Sequence, residues 1–236
     1  MTNPTPQNIA DMFDSIAHSY DRANRILSFG TDISWRKKLI SLLPCSAGLS
    51  VLDLATGTGD LAIAMCKERR NIGHVDGLDV SEGMLEQGRA KVKSLGLEQM
   101  IRLSHGDAHV LPTASASIDA VTVAFGVRNF SDLHAGLKEM KRVLKPQGIA
   151  LILEFSLPRL ALLRIPYLFY FRYVLPVVGG LVSGNQDAYK YLNQSVEAFP
   201  YGEKFCSLVR DAGFSTCRAH ILSGGIATIY EARVST

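Results

Sequence analysis

The chain has 236 residues, of which 47% are hydrophobic and 20% are charged, and its formal net charge is +3. This ordinary globular composition excludes collagen-like, low-complexity and wholly disordered chains. A charge this small predicts no nucleic-acid partner, and we interpret the basic run Arg36-Lys37-Lys38 as a solvated helix face. The four cysteines form no CxxC pair and have no histidine at ligand spacing. We therefore expect no disulfide framework, no metal site and a reducing compartment.

Helices and strands alternate along most of the chain. Apolar residues at three- and four-residue spacing predict helices in 10–16 and 36–43, before the first strand. The predicted strands are 50–54, 74–80, 100–104, 118–125 and 149–155, with helices at 61–69, 81–94 and 131–144. Repeated units of this length predict a parallel sheet covered by helices on both faces. We treat residues 1–236 as a single domain.

The end of the chain follows a different pattern. A helix is predicted over 202–211, and two strand-like runs, 214–222 and 226–233, flank Ser223-Gly224-Gly225. A Gly-Gly turn between two such runs favours a hairpin. We therefore predict that the sheet ends with an antiparallel edge.

The stretch from Leu157 to Gly184 is the most apolar part of the chain. It is interrupted by three arginines and three prolines: Arg159, Arg164, Arg172, Pro158, Pro166 and Pro176. We predict that the prolines break any regular helix, and that the longest uncharged run is too short to span a bilayer, which needs ~20 residues. The stretch is either a buried helix pair, or the lining of a greasy pocket or a segment at a membrane interface.

A glycine-rich turn follows the first predicted strand. Such a turn lets the backbone approach a ligand closely at the carboxyl end of the sheet. Gly57, Gly59 and Ala62 fit the dinucleotide fingerprint, and Asp79 ends the second strand where a ribose-binding acid belongs. A nicotinamide cofactor is therefore one hypothesis.

Charge favours another cofactor. Asp53 precedes the turn and Asp60 opens the next helix, so two carboxylates would face a pyrophosphate. Like charges at ~4–6 Å cost on the order of 1–4 kcal/mol. S-adenosylmethionine carries an ammonium and a sulfonium instead, which both carboxylates favour. Asp79 would then accept hydrogen bonds from the ribose hydroxyls, and Asp107, after the third strand, one from the adenine amino group.

Several further motifs resemble those of a known family. They are Tyr20-Asp21 with Asn24, Ser28-Phe29-Gly30, Trp35, LDLATGTGDLA, Phe125-Gly126-Val127-Arg128-Asn129, Arg142 to Pro146, Leu153 to Ser156 and Tyr189 to Ser195. On these residues, from about Met12 to Tyr230, the chain resembles the ubiquinone/menaquinone biosynthesis C-methyltransferases, which are class I S-adenosylmethionine-dependent methyltransferases. Thr56 stands where the family usually has Gly, and Ala124 where it usually has Ser.

The resemblance implies a Rossmann-like α/β fold. Its sheet would have seven strands, mostly parallel with the last strand antiparallel, and helices on both faces. The implied cofactor is S-adenosylmethionine, with contacts from Thr58, Asp79, Asp107 and Ala108. We add Gly57, Gly59 and Asp53 to this predicted cofactor-binding set.

The implied substrate is a polyprenylated hydroquinone, most simply demethylmenaquinol converted to menaquinol. The alternative is a 2-polyprenyl-6-methoxy-1,4-benzoquinol. Carbon methylation needs an electron-rich ring, so the reduced quinol should react, and a cation or a base near its hydroxyl lowers the barrier. We predict that Arg128 steadies the phenolate and that Tyr20 and Asp21 orient or accept the proton.

Two segments are expected on the substrate side: residues 1–48 as a helical cap, and residues 157–200 as an apolar insertion forming a groove or lid for the prenyl tail. Besides the quinol, we expect peripheral contact with the inner face of the membrane and a homodimer as a further partner. The polar stretch from Met1 to Asp14 has no signal-peptide pattern, which favours a cytoplasmic location. Two rival functions remain: a nicotinamide oxidoreductase, and a non-catalytic module that binds quinone or membrane.

Overall fold

The structure is a computed structural model that describes residues 6–158 and 160–235, so Arg159 lies outside the described residues. Its helices are α1 (Pro6–Leu27), α2 (Thr31–Ser41), α3 (Asp60–Glu68), α4 (Glu82–Ser94), α5 (Leu133–Val143), α6 (Ala161–Phe169), α7 (Leu175–Ser183), α8 (Gln186–Ala198) and α9 (Glu203–Asp211). Its strands are β1 (Leu49–Leu54), β2 (Ile72–Asp79), β3 (Ile101–His105), β4 (Ile118–Ala124), β5 (Leu144–Phe155), β6 (Thr216–Leu222) and β7 (Ala227–Arg233). All the predicted strands are confirmed.

Within the described residues, seven strands form one sheet in the order β3-β2-β1-β4-β5-β7-β6. The first five strands are parallel, and β7 pairs antiparallel with both β5 and β6. The predicted fold class and the hairpin around Ser223–Gly225 are confirmed. The predicted antiparallel end of the sheet is also confirmed: β7, the last strand, lies between β5 and β6 and pairs antiparallel with both. β7 is the more buried strand of the hairpin, whereas β6 is largely exposed.

The core lies on both faces of the central strands. β1, β4 and β5 are nearly continuous apolar runs, as expected for parallel strands covered by helices on both sides. On one face they pack against α3 and α4 through residues such as Met65 and Leu85. On the other face they pack against α5 and α9 through Leu137 and Phe205.

The long helix α1 lies across the carboxyl edge of the sheet. Asp14 accepts hydrogen bonds from the Ser81 hydroxyl (2.5 Å) and the Gly83 amide (2.9 Å), so α1 is attached to the start of α4. A carboxylate is favoured at a helix N-terminus because of the helix dipole. Ser81 itself caps α4 by accepting a bond from the Met84 amide. The sequence pattern found only the first part of α1.

The apolar stretch after β5 is a continuous helical run. α6, a π-helical turn (Tyr170–Val174) and α7 follow one another from Ala161 to Ser183, so the prediction that the prolines break any helix is wrong. Pro166 lies inside α6 and Pro176 in the first turn of α7, with the π-helical turn between them. By length and composition this run of 23 residues could cross a membrane, and only 22% of its most apolar 18-residue part is buried in the protein. Its inner side packs on α1 and α8.

Candidate active site

The glycine-rich turn lies where the sheet order reverses, between β1 and β4. Gly57 and Gly59 have positive φ angles of 56° and 75°, conformations that side chains other than glycine adopt rarely. The Thr56 amide donates to the Leu78 carbonyl (3.1 Å), which ties the turn to the end of β2. Gly126, after β4, approaches so closely that a Cβ there would collide with Ala55. The turn is therefore held on both sides, and a cavity lies beside it.

This first cavity, of about 80 Å³, is lined by four of the predicted cofactor-binding residues: Gly57, Asp79, Asp107 and Ala108. Asp79 accepts hydrogen bonds from the amides of Gly57 (2.7 Å) and Ser81 (2.9 Å). Burial raises the pKa of its carboxyl, although these amide bonds oppose the shift. Each carboxylate oxygen has a second acceptor position, so Asp79 can still bind ribose hydroxyls.

Asp107 lies at another point of the same cavity wall. Its Oδ1 accepts bonds from the backbone amide (2.9 Å) and the ring Nδ1 of His109, which fixes the loop after β3. Apolar side chains, including Leu78 and Val80, line the same cavity. Two carboxylates and apolar walls fit the ribose, the amino group and the flat ring of an adenosine.

Thr58, Gly59 and Asp21 are not brought to this cavity. Within the described residues they line neither this cavity nor the second one. The Thr58 hydroxyl donates to Asp21 (2.6 Å), and Lys91 lies between Asp21 (2.8 Å) and Asp60 (2.6 Å). The Asp21 carboxylate thus attaches α1 to α4 and to the turn, outside both cavities, and its role in handling the proton stays a prediction.

Asp60 and Asp53, the two carboxylates predicted to favour S-adenosylmethionine, do not face the first cavity either. Asp60 pairs with Lys91 and Arg25. Burial alone would raise its pKa, but the charge and hydrogen bond of Lys91 hold it below the usual range. Asp53 is fully buried beneath the turn, where it accepts bonds from the hydroxyls of Thr56 and Thr122, both at 2.6 Å. There it makes a bracing contact between β1, β4 and the turn, and its contact with the cofactor stays a prediction.

A second cavity, of about 250 Å³, adjoins the first, and Phe13, Tyr20 and Phe125 line both. Tyr20 therefore lies at the junction. Burial raises the pKa of its hydroxyl, although a hydrogen bond with Asn24 and the positive charge of Arg128 oppose the shift. Tyr20 is thus a neutral hydrogen-bond donor at pH 7 and is better suited to orienting an oxygen than to accepting a proton.

Arg128 lines the second cavity as a buried cation. It pairs with Glu154 (2.8 Å), with side chains 5% and 0% exposed, and donates to the Phe125 carbonyl. Its guanidinium carbon lies 5.7 Å from the centre of the Phe155 ring, and its buried Nε has no partner among the described residues. A buried charge is tolerated only when it is paired, so Glu154 keeps a cation in an otherwise apolar wall.

The sequence analysis missed residues on the other side of this cavity. Asp32 and Arg36 form a buried ion pair there, so Arg36 is not part of a solvated face. The i,i+4 spacing of the two residues was the available signal. Tyr191 of α8 donates to Asn129 (3.2 Å), which joins the apolar insertion to the motif that contains Arg128.

Comparisons with known proteins decide between the two cofactor hypotheses. The model of the ubiE/COQ5 methyltransferase family matches residues 1–233. The chain belongs to this family. It is 46% identical over 219 residues to the demethylmenaquinone methyltransferase of Thermus thermophilus, covering 93% of this chain and 98% of the relative. It is 44% identical to a ubiquinone/menaquinone biosynthesis C-methyltransferase of Geotalea uraniireducens, covering 95% of each chain.

Solved structures agree on the fold. A putative S-adenosylmethionine-dependent methyltransferase from Methanococcus maripaludis superposes with a TM-score of 0.68 at 18% identity, covering 100% of this chain and 98% of the other. The protein is therefore a Rossmann-like methyltransferase that uses S-adenosylmethionine. The methyl-donor hypothesis is confirmed, and the nicotinamide hypothesis is set aside.

We expect Asp79→Asn to weaken S-adenosylmethionine binding about ten- to a hundredfold, because hydrogen bonds to a charged acceptor contribute roughly 1.5–3 kcal/mol. Calorimetric titration measures the affinity. Asp76→Asn is the matched control: the residue lies on the same strand but pairs with His74 and Arg102. Equal affinities for the wild type and both variants would remove Asp79 from the cofactor site.

The pH dependence of stability tests the bracing contact of Asp53. Burial raises its pKa to about 6, so between about pH 4 and 6 the folded chain keeps a proton that the unfolded chain releases. The contribution of this group to the free energy of unfolding therefore falls as pH rises, by on the order of 3 kcal/mol. Denaturant titrations of the wild type and Asp53→Asn should show their difference shrinking over this window.

Asp119→Asn is the control of opposite sign. Burial would raise the Asp119 pKa, but its hydrogen bond with Lys145 and the Ser50 amide lower it. Its contribution is therefore present at neutral pH and is lost on acidification. A difference in the free energy of unfolding between the wild type and Asp53→Asn that stays constant or grows as pH rises would contradict the proposed bracing contact.

Proposed function

We propose that the protein methylates a ring carbon of a polyprenylated hydroquinone, converting demethylmenaquinol to menaquinol. The observation that carries this proposal is the junction of the two cavities at Tyr20 and Phe125. A donor held by Asp79 and an acceptor ring held beside Arg128 would meet there. The names of the relatives from Thermus thermophilus and Geotalea uraniireducens support the same substrate class.

When bound, S-adenosylmethionine supplies a methyl group that its sulfonium already activates. The chain then has to align the acceptor carbon with that methyl and exclude water. Tyr20 and Phe125 define the contact point between the two cavities, and the Phe125 ring lies 4.5 Å from that of Phe155. These rings supply a flat apolar surface on which an aromatic acceptor can be positioned.

Arg128 supplies the electrostatic part of the reaction. A quinol carbon becomes nucleophilic as its neighbouring hydroxyl loses a proton, and the oxygen then carries negative charge. A preorganised cation in a site with little water stabilises this charge strongly. Glu154 fixes the guanidinium beforehand, so little reorganisation is needed when the charge develops. Tyr20, a neutral donor, can bond to the same oxygen.

The prenyl tail would lie along the apolar part of the second cavity. Its walls come from α1, from the helical run after β5 and from α8, which lie within the segments predicted as a cap (1–48) and an insertion (157–200). The lining residues on this side are Leu27, Tyr167, Tyr170, Phe171, Leu175 and Leu192. An isoprenoid chain needs contact area rather than hydrogen bonds, and these side chains offer it.

The reaction itself is the direct test. Purified protein is incubated with methyl-labelled S-adenosylmethionine and chemically reduced demethylmenaquinone. We expect a product one methyl heavier, and none when the substrate is left oxidised. Methylation of the methoxy-benzoquinol alone would favour the ubiquinone alternative. Cofactor binding without methylation of either quinol would contradict the proposal.

We expect Arg128→Lys to lower kcat by about 10²–10³, because a lysine keeps the charge near Glu154 but loses the planar guanidinium geometry. S-adenosylmethionine affinity should stay within twofold of wild type, as Arg128 does not line the first cavity. Steady-state kinetics and titration calorimetry measure the two quantities. Lys145→Arg is the control, because it exchanges lysine and arginine at another ion pair, the more exposed one between Lys145 and Asp119. A kcat near wild type in Arg128→Lys would exclude the assigned electrostatic contribution.

A further inference from the structure

The helical run from Ala161 to Ser183 carries a stripe of apolar side chains on its solvent side. Six large residues there are between 51% and 86% exposed: Leu162, Ile165, Phe169, Tyr173, Val177 and Leu181. Neighbours in the stripe are three or four positions apart, so they share one face of the helix. Single exposed apolar residues are common, but a contiguous stripe of this length marks an interaction surface.

Phe29 extends this stripe from a second segment. It is 81% exposed, its φ is +51°, and its ring centre lies 6.0 Å from that of Tyr170 in the π-helical turn. A bulky residue rarely adopts this left-handed conformation. The turn between α1 and α2 therefore holds an aromatic ring out beside the helical run. We refer to Phe29 and the six residues of the stripe as the apolar face.

The opposite side of the same helix belongs to the site. Phe171 and Leu175 are buried against α1 and α8, and they line the second cavity together with Tyr167 and Tyr170. One helix thus separates most of the acceptor cavity from whatever covers the apolar face, and Phe29 reaches that cavity as well.

The helix is also fixed along its length. α7 packs on α8, and two guanidinium nitrogens of Arg172, Nε and Nη2, bond to Glu197 (2.8 and 2.7 Å). Although the run is long enough to cross a bilayer, crossing would strip its inner side from the cavity wall. A helix with one buried side and one apolar outer side is suited to lie in the membrane interface.

Charge indicates the occupant. Leu157 to Gly184 contains no Asp or Glu, and its charged residues are Arg159, Arg164 and Arg172. Arg164 is exposed beside the stripe. Arg172 is paired with Glu197, so among the described residues of the run Arg164 is the cation that can complement anionic headgroups, and its long stem reaches the headgroup level while apolar neighbours insert.

We propose that the apolar face docks on a lipid bilayer, with the helical run parallel to the membrane plane. The side chains of the stripe and Phe29 enter the boundary between headgroups and acyl chains. The purpose of this docking rests on the proposed function: it brings the wall of the acceptor cavity to the leaflet in which a prenylated quinol resides. The docking itself depends only on the exposure, spacing and charge of the side chains on this helix and of Phe29.

Flotation of the full-length protein with vesicles tests the docking. The vesicles contain phosphatidylcholine, with or without phosphatidylglycerol. We expect the wild type to float, more strongly with phosphatidylglycerol and less in high salt. The double variant Phe169→Glu, Leu181→Glu should bind the vesicles at least about tenfold more weakly than the wild type, because each introduced carboxylate must be desolvated on insertion. Neither residue lines the second cavity.

Leu95→Glu is the matched control. Leu95 is 44% exposed and follows the end of α4, which lies at the amino edge of the parallel strands, away from the cavities. It should float like the wild type, and all variants should unfold at the same temperature. A wild type that stays out of the vesicle fraction, or a double variant that floats as well as the control, would overturn the proposal.

Two further measurements separate this proposal from its alternatives. With a short-chain, water-soluble quinol the double variant should keep the wild-type rate, and it should lose rate only with a long-chain quinol embedded in vesicles. Flotation without methylation of any quinol would refute the proposed function but leave the docking intact. If sedimentation shows that the double variant dissociates a dimer while flotation is unchanged, the face joins two copies of the chain and the proposal fails.

Discussion

The buried ion pair between Arg128 and Glu154 is the interaction on which the acceptor side of the protein depends. A guanidinium in an apolar wall is stable only because Glu154, on β5, pairs with it and because the Phe125 carbonyl accepts another of its bonds. The backbone of Phe125 and the ring of Phe155 are therefore placed by the same contact that places the charge. The cavity can stay apolar enough for an isoprenoid substrate and still stabilise an oxyanion.

The donor side is organised by a different set of carboxylates. Asp79 holds the glycine turn and Asp53 braces it from below, while Asp21 and Asp14 attach α1 to α4. Because α1 also lines both cavities through Phe13 and Tyr20, these contacts set the position of the junction. The helix thus couples the geometry of the turn to that of the acceptor cavity.

Much of this arrangement follows from local sequence. The strands are apolar runs bounded by turn residues, and the glycine turn, Asp79 and Asp107 follow strand ends, so the topology of a parallel sheet brings them to one edge. The motif around Arg128 predicted a cation at that edge in the same way. Spacing along the chain was sufficient in these cases because the carboxyl ends of neighbouring strands meet.

Other features depend on contacts that a sequence does not record. Asp53 and Asp60 stand beside the turn in sequence, yet hydroxyls and Lys91 draw their carboxylates away from the cavity. β6 and β7 are similarly apolar in sequence, yet β7 is the strand that is buried beside β5. Arg36 stands beside the exposed Lys37 and Lys38 in sequence, yet it pairs with the buried Asp32 and lines the second cavity.

One substrate comparison tests directly whether the protein stabilises a quinol oxygen as it becomes negative. The rate of ring methylation is measured for demethylmenaquinol and for its ether, in which the hydroxyl next to the reacting carbon carries a methyl group and cannot ionise. We expect methylation of the quinol and none of the ether, although the ether still binds competitively. Ring methylation of both compounds at similar rates would show that no phenolate forms, and it would contradict the mechanism assigned to Arg128.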